Sequence, residues 1–549
     1  MTRPYTRVST KRTKQTEKIV GSAQVANSAG GFSFAVDDWK RLDRFLILGT
    51  EGGSYYIDED ELTLKNAEAV LRCIAQDVLR VVKQIVAISQ SGRAPKNDPA
   101  LFALALAASK GNGETKAAAL AALPLVARIG THLFHFVQYV EQFRGWGRGL
   151  RGAISAWYTS RDPLSLAKQV TKYAQRDGWS HRDLLRLAHV TPPSDEFNAL
   201  FQYVTKGVLS GFVPMQSQAG DYLTIVEQLK QETQPVAAAK LIAAHSLPRE
   251  VVPTQLLTEA VVWDALLPQM GLTAMIRNLG NMSKVGLLTQ MSTAEHLVIA
   301  KLSDRDALKR ERVHPLAILL AQSVYAQGHG LRGRGQWETS PRVIDALNDA
   351  FYAAFDMVEP TGKRVLLALD VSGSMSSDGV AGTSLTPREA AAAMALVTAR
   401  VEPSYGIVAF GDEFAPLNIS SLDRLDSVVR KTGQLGMMGT DCALPMMWAL
   451  GEAYSTNNWG NAKPLKKRAS IVEVDTFVIY TDSETWAGDI HPVQALQLYR
   501  QTTGIPAKLV VVGMVSNGFT IADPSDAGML DVVGFDASAP AVIADFMKE

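Results

Sequence analysis

A chain of 549 residues is too long for one compact core, so two or more domains are expected. Its apolar content of 47% and charged content of 20% are ordinary for a soluble globular protein. Two cysteines, Cys73 and Cys442, exclude a disulfide framework and point to a reducing, intracellular compartment, and no run approaches the ~18 consecutive apolar residues of a membrane helix.

The net charge of zero conceals a division. Residues 1–360 carry 41 Lys and Arg against 34 Asp and Glu, whereas residues 361–549 carry 14 against 21. A basic front and an acidic back suggest different partners for the two parts.

Residues 1–30 hold Arg3, Arg7, Lys11, Arg12, Lys14 and Lys18, with Glu17 the only acid. Too little apolar material is present for this stretch to fold. It reads as a solvated, disordered basic tail, or as a flexible arm that adds phosphate contacts to a bound nucleic acid. No apolar core follows the basic residues, so no secretory signal is read there.

From Phe32 to about Phe355 apolar residues recur at three- and four-residue spacing, as in Ala67–Ile88, Leu101–Ser109 and Ala117–Ala127. Such an array of short helices fits stacked helix pairs better than a single bundle. No clean repeat period emerges.

Within this part, Ser180-His181-Arg182-Asp183 opens a well-specified helix with a capping-box pattern, closed by Pro192 and Pro193. Arg182, Arg186 and His189 stand at i, i+4 and i+7 and share a face, while Leu184, Leu185 and Ala188 point inward. Lys172 and Arg176 are also four apart, and Arg144, Arg148 and Arg151 repeat the spacing among glycines that weaken a helix. Any one stripe fits a solvated helix face. Three within about 50 residues favour an RNA or phosphate surface, without distinguishing RNA from DNA.

Past Glu359-Pro360-Thr361-Gly362 the texture changes. Val365–Leu369, Gly406–Phe410, Thr476–Tyr480 and Ala507–Met514 read as buried strands, and Pro387–Arg400 as a helix. This alternation predicts an α/β doubly wound parallel sheet, whose ligands bind beyond the carboxyl ends of the strands. Asp370, Ser372 and Ser374 lie just past one such end, and Thr481-Asp482-Ser483 past another. A carboxylate and two hydroxyls aimed at one point suit a hard divalent cation such as Mg²⁺.

Three pieces, Asp370-Val371-Ser372-Gly373-Ser374, Gly439-Thr440-Asp441 and Tyr480-Thr481-Asp482-Ser483-Glu484, together resemble the metal-ion-dependent adhesion site of von Willebrand factor A domains. The resemblance implies Asp370, Ser372, Ser374, Thr440 and Asp482 as ligands, with one coordination position open to an outside carboxylate. Asp441 and Glu484 stand where they could orient the hydroxyls. A metal-free site whose aspartates cap helices is the alternative. A metal with oxygen ligands could support hydrolysis, but no base or nucleophile accompanies the five residues, so they read as a binding site.

Further runs carry a wider resemblance. They include Asp38-Trp39-Lys40-Arg41-Leu42-Asp43-Arg44-Phe45, Gly178-Trp179-Ser180-His181-Arg182-Asp183-Leu184-Leu185, Leu272-Thr273-Ala274-Met275-Ile276-Arg277-Asn278-Leu279-Gly280-Asn281-Met282, Arg312-Val313-His314-Pro315 and Asn517-Gly518-Phe519-Thr520-Ile521-Ala522-Asp523-Pro524. Over about 32–549 the chain resembles the Ro autoantigen family, in a bacterial form.

That resemblance implies a TROVE helical module over 31–360, built as a ring of HEAT-like helix pairs. A von Willebrand factor A-type domain over 361–549 would bridge the ring's ends. It implies a cytoplasmic, non-enzymatic protein of RNA quality control and stress survival. Small structured Y RNAs would bind its outer basic surface, and single-stranded 3′ ends of misfolded noncoding RNAs would enter a central hole. Polynucleotide phosphorylase, a 3′-to-5′ exonuclease, is an implied partner, and an acidic protein ligand at the metal is another. Lys172 and His189 fall on the Y RNA surface by this resemblance, whereas Arg176, Arg182 and Arg186 extend it by the stripe argument. Arg144, Arg148 and Arg151 fit the hole or the outer face. The basic tail, and a loop with Lys463, Lys466, Lys467 and Arg468, match no part of the family pattern. The rival functions are an Mg²⁺-dependent protein-interaction scaffold built around the A domain and an Mg²⁺-dependent nuclease.

Overall fold

Helix boundaries fall where the sequence supplies caps and breaks. In the computed structural model, which describes residues 11–49, 67–207, 216–330, 335–355, 359–376, 386–435, 437, 439–451, 454–456, 462–464, 470–515 and 517–548, the stretch 67–88 is two helices. Asp77 interrupts it, and its carboxylate accepts from Arg80 N at 3.0 Å to start the second. The stretch 117–127 likewise breaks at Ala122, with Pro124 in the first turn of the next short helix.

The chain forms two units. One gathers Met1–Ala69, Arg93–Pro95 and Phe355–Glu549; the other holds Val70–Gly92 and Lys96–Ala354.

The first unit begins with a hairpin of β1 (Val25–Ala26) and β2 (Phe32–Ala35), followed by α1 (Asp38–Leu48). This differs from the expected solvated tail. Gln15, Ile19, Gln24 and Asn27 are buried, because each finds partners far along the chain. Arg3 and Arg7 lie outside the described residues.

The second unit is helical. Here α2 (Val78–Ser91) and α4 (Gly130–Phe143) flank α3 (Asp98–Lys110), whose residues Pro99–Ser109 are all buried. A helix apolar on every side needs neighbours on every side, and α3 has them. Next come α5 (Arg148–Thr159), α6 (Pro163–Lys172), the hairpin β3 (Gln175–Arg176) and β4 (Trp179–Ser180), and α7 (His181–Ala188). Farther on, Pro235–His245 packs against Ala260–Leu266, and Pro315–Ala326 against Pro341–Ala353.

The remaining elements of the first unit are β5 (Arg364–Asp370), α8 (Pro387–Val401), β6 (Ser404–Phe410), β7 (Phe414–Pro416), β8 (Thr476–Thr481), α9 (Pro492–Thr503), β9 (Lys508–Gly513), β10 (Phe519–Thr520), β11 (Met529–Val533) and α10 (Ala539–Lys548). The sheet order is β11-β9-β8-β5-β6-β7, parallel except for β7. Strand order reverses between β5 and β8, with Ala368 opposite Ile479 and Leu369 opposite Tyr480. Their carboxyl ends therefore open side by side. Strand β10 joins β2 and β1 in a separate small sheet.

The edge strands β7 and β11 escape a reading by apolar runs. In β11, Asp531 interrupts the pattern, and only Arg44 of α1 explains it. The two form a buried ion pair at 2.9 Å, and Arg44 also donates to Asn517 O at 2.7 Å.

Candidate nucleic-acid interface and candidate metal centre

Helix α7 forms as its sequence specifies. Ser180 Oγ accepts from Asp183 N at 3.3 Å, and Asp183 accepts from Ser180 N at 3.0 Å. Leu184, Leu185 and Ala188 are buried, and Arg182 and Arg186 are exposed. His189, also exposed, is the left-handed C-cap at φ 50°. It leaves the helix there and projects from a fixed backbone corner.

The two upstream stripes differ from expectation. Lys172 ends α6, and Arg176 lies in the β3–β4 hairpin, so the two share no helix face. The hairpin turns on Asp177-Gly178, both at positive φ, a sequence suited to a two-residue turn. Asp177 is held by the buried His135. Arg144 caps the end of α4, with Nη1 donating to Ala108 O at 3.0 Å. Gly145, at φ 73°, breaks the chain before Arg148 and Arg151 begin on α5. All three arginines are exposed, as is Arg176, whereas Lys172 is half-buried with Nζ 5.3 Å from the Tyr173 ring centroid.

His181, beside this surface, is a core residue. It contacts Tyr158 Oη through Nδ1 at 2.6 Å and lies against Phe134 and Trp157. Burial lowers its pKa from 6.5 to about 3. An aromatic pair escaped the charge-based reading: Trp146 and Trp179 rings stand 5.9 Å apart, the first between Arg144 and Arg148 in sequence and the second between Arg176 and Arg182. The repeated Gly-Trp at 145–146 and 178–179 was the available signal.

In the first unit, Asp370 ends β5 fully buried. Its Oδ1 accepts from Ser372 N at 2.9 Å and its Oδ2 from Thr481 Oγ1 at 2.6 Å. Ser372 Oγ is 3.3 Å from Ser374 Oγ, and Ser374 also hydrogen-bonds Asp482. Thr440 is buried, and its carbonyl accepts from Trp486 N and Ala487 N at 3.0 Å, which ties its loop to the one carrying Asp482. Asp370, Ser372, Ser374 and Asp482 therefore form one cluster, with Thr440 on the adjoining loop.

The electrostatics state what this cluster lacks. Burial raises the pKa of both Asp370 and Asp482, and the Asp482 charge raises Asp370 further. Two buried carboxylates beside the hydroxyls of Ser372, Ser374 and Thr481 are an oxygen-only donor set whose negative charges repel. That fits a hard divalent cation. Asp441 is buried, with its carboxyl pushed up to about 7, and its Oδ1 accepts from Gln15 Nε2 at 2.7 Å rather than from a ligand hydroxyl. Glu484 is half-buried and accepts from Asn517 Nδ2 at 3.5 Å. Thr481, Gln15 and Arg388 are neighbours that sequence reasoning missed. Buried Arg388 donates to Ser376 Oγ, and the charges of Glu389 and Asp370 act on its guanidinium.

Lys466, Lys467 and Arg468 lie outside the described residues. Near them Tyr454–Thr456 pairs antiparallel with Ala462–Pro464.

The TROVE domain family matches residues 25–324, and the Ro60 vWA domain family matches 364–457 and 464–547. The chain is 43% identical to RNA-binding protein RO60 of Deinococcus radiodurans over 540 residues, 97% of each chain. The chain belongs to the Ro60 family. A Caenorhabditis elegans protein, also called RNA-binding protein RO60, is 36% identical over 97% of this chain and 91% of its own. The crystal structure of the Deinococcus radiodurans Ro (RSR) protein superposes with a TM-score of 0.68 at 42% identity, covering 93% of this chain and 99% of that one.

The Ro60-family order, a helical TROVE region followed by a vWA domain with a mixed central sheet, is thus present. The TROVE match begins at residue 25, and its first part, β1, β2 and α1, belongs to the unit that holds the sheet. Among the described residues no helix is long and apolar enough to cross a membrane.

Proposed function

We propose that this protein binds noncoding RNA and serves RNA quality control in the cytoplasm, without catalysis of its own. The observation that carries this reading is one set of basic side chains, most of them exposed. Arg148, Arg151, Arg176, Arg182, Arg186 and His189, with Lys172, stand on short rigid elements of one unit. Exposed cations held by a folded scaffold attract a phosphate backbone by releasing its counterions, and read shape rather than base sequence. Two relatives that carry RNA binding in their names support it. Small structured Y RNAs are the proposed occupants of this surface, and single-stranded 3′ ends of misfolded RNAs are the second class of client. A 3′-to-5′ exonuclease, polynucleotide phosphorylase, is the proposed enzymatic partner.

The oxygen cluster around Asp370 is the proposed Mg²⁺ site, held by Asp370, Ser372, Ser374, Thr440 and Asp482. The cation would neutralise the buried carboxylates and offer a docking point for an acidic protein ligand. This cluster also supports the second reading, an Mg²⁺-dependent protein scaffold.

Sequencing RNA crosslinked to the protein in its native cell tests the first reading. Structured noncoding RNAs are expected, and a crosslinked pool no richer in them than total RNA would overturn it. Labelled RNA incubated with the protein and Mg²⁺ should stay intact. Cleavage that disappears in Asp370→Ala would make the protein a nuclease.

A further inference from the structure

The N-terminal segment meets the metal-site loops at Gln15. That side chain has no solvent exposure. Its Nε2 donates to Asp441 Oδ1 at 2.7 Å and to Ile490 O at 2.8 Å. Its Oε1 accepts from Thr485 Oγ1 at 2.5 Å and from Gly488 N at 3.2 Å. Two donors and two acceptor positions are all that a glutamine amide has, and each is used. The Gln15 backbone adds a bond from its N–H to Gly488 O at 2.9 Å. The fit is close: a Cβ at Gly488 would stand 2.4 Å from Asp441 Oδ1 and 2.5 Å from Gln15 Nε2.

The same segment grips the second loop again. Ser33 Oγ donates to Ser483 O at 2.8 Å, and Asn27 Nδ2 donates to Thr485 O at 3.0 Å. A Cβ at Gly31 would lie 2.0 Å from Thr485 O, so the backbones meet directly. Asp441 follows Thr440, and Ser483 follows Asp482. Both loop-borne ligands are therefore one residue from an atom that the segment holds. Asp370, Ser372 and Ser374 are placed instead by the end of β5 and the turn after it.

We propose that Gln15, with Asn27 and Ser33, positions Thr440 and Asp482, so that cation affinity in the sheet unit depends on the N-terminal segment. The proposal rests on the Mg²⁺ site proposed above. Anchoring alone does not require these polar contacts. Ile19 and Phe34 of the same segment are already buried in the hydrophobic core beside the sheet. Apolar burial holds the segment down without directing it, whereas a saturated amide fixes two loops to one spacing. The three side chains are positioning residues, and the cation is the ligand they serve.

The test uses the full chain and MgCl2, with calorimetric titration for affinity and melting in EDTA for the fold. Gln15→Leu removes the amide and should weaken Mg²⁺ binding about tenfold or more, as loss of a supporting hydrogen bond does at other metal sites. Ile19→Ala should lower the melting temperature in EDTA while leaving Mg²⁺ affinity within about twofold, since apolar anchoring carries no direction. Amide exchange at residues 440–442 and 483–490 should quicken in Gln15→Leu and not in Ile19→Ala. Unchanged Mg²⁺ affinity in Gln15→Leu, or equal weakening in Ile19→Ala, would overturn the proposal and leave the metal site standing. Wild-type protein that takes up no Mg²⁺ would overturn the metal site and this role together. Should Gln15→Leu fail to fold, Ser33→Ala is a smaller truncation that reads the Asp482 side of the same contact, with the same outcomes.

Discussion

The candidate site of the helical unit displays its charge, and that of the sheet unit hides it. Arg148, Arg176, Arg182, Arg186 and His189 reach solvent and are fixed mainly through their backbone, by helix ends, a hairpin and a left-handed corner. Asp370, Thr440 and Asp482 are buried, and their loops are fixed by hydrogen bonds from several directions. The first arrangement suits a large, hydrated polyanion, whose attraction is spread over many contacts and screened by salt. The second suits one small cation stripped of most of its water, where a misplaced oxygen matters more than ionic strength. Placement on a surface is enough for the one, and internal order is needed for the other.

Charge reversal is the strongest way to break the contrast. Glutamate at both Lys172 and His189 should weaken structured-RNA binding by roughly 3 kcal/mol and flatten its salt dependence. A filter-binding titration across salt concentrations checks this, and an unchanged slope would remove both residues from the surface. Asp370→Ala comes next. With Mg²⁺ at about 100 times its Kd, wild-type stability should rise by about 2.7 kcal/mol, and the variant should show none of that rise. Melting with and without Mg²⁺ decides, and an equal rise in both proteins means that no cation binds there.

Acid sharpens the comparison from the helical side. His181 binds a proton near pH 6.5 when unfolded but only near pH 3 when folded. Its contribution to stability is complete above pH 6.5 and is lost as pH falls toward 3, with roughly 2 kcal/mol gone at pH 5. Urea unfolding followed through tryptophan fluorescence at pH 7 and pH 5 measures the loss, and His181→Phe should shrink the difference. The smallest effect belongs to the cap. Ser180→Ala should cost about 1 kcal/mol, and it should lower RNA affinity only as far as Arg182 and Arg186 lose their fixed helix. RNA affinity that survives a melted α7 would show that charge alone is sufficient.

Legibility in the sequence followed the range of the interactions. The strands at 364–370, 404–410, 476–481 and 508–513 were readable, because a strand buried on both faces is a continuous apolar run. The α7 cap was readable because its partners are three residues apart. Spacing misplaced Lys172 with Arg176, and Arg144 with Arg148 and Arg151, because a helix end falls inside each group and only glycine hinted at one of them. Strand β11 was missed because Asp531 is paid for by Arg44, 487 positions earlier.

The sequence by itself determined two architectures, the cap and pattern of α7, and the residue types at the oxygen cluster around Asp370. These are matters of composition, short spacing and strand ends. Only the tertiary structure decided that residues 11–35 are ordered and that Gln15 lies between the Thr440 and Asp482 loops. Read locally, that segment is polar, basic and too poor in apolar residues to fold. Its order comes from partners such as Asp441 and Ile490, 426 and 475 positions from Gln15, and no local pattern encodes a hydrogen bond whose two ends meet only after the sheet has formed.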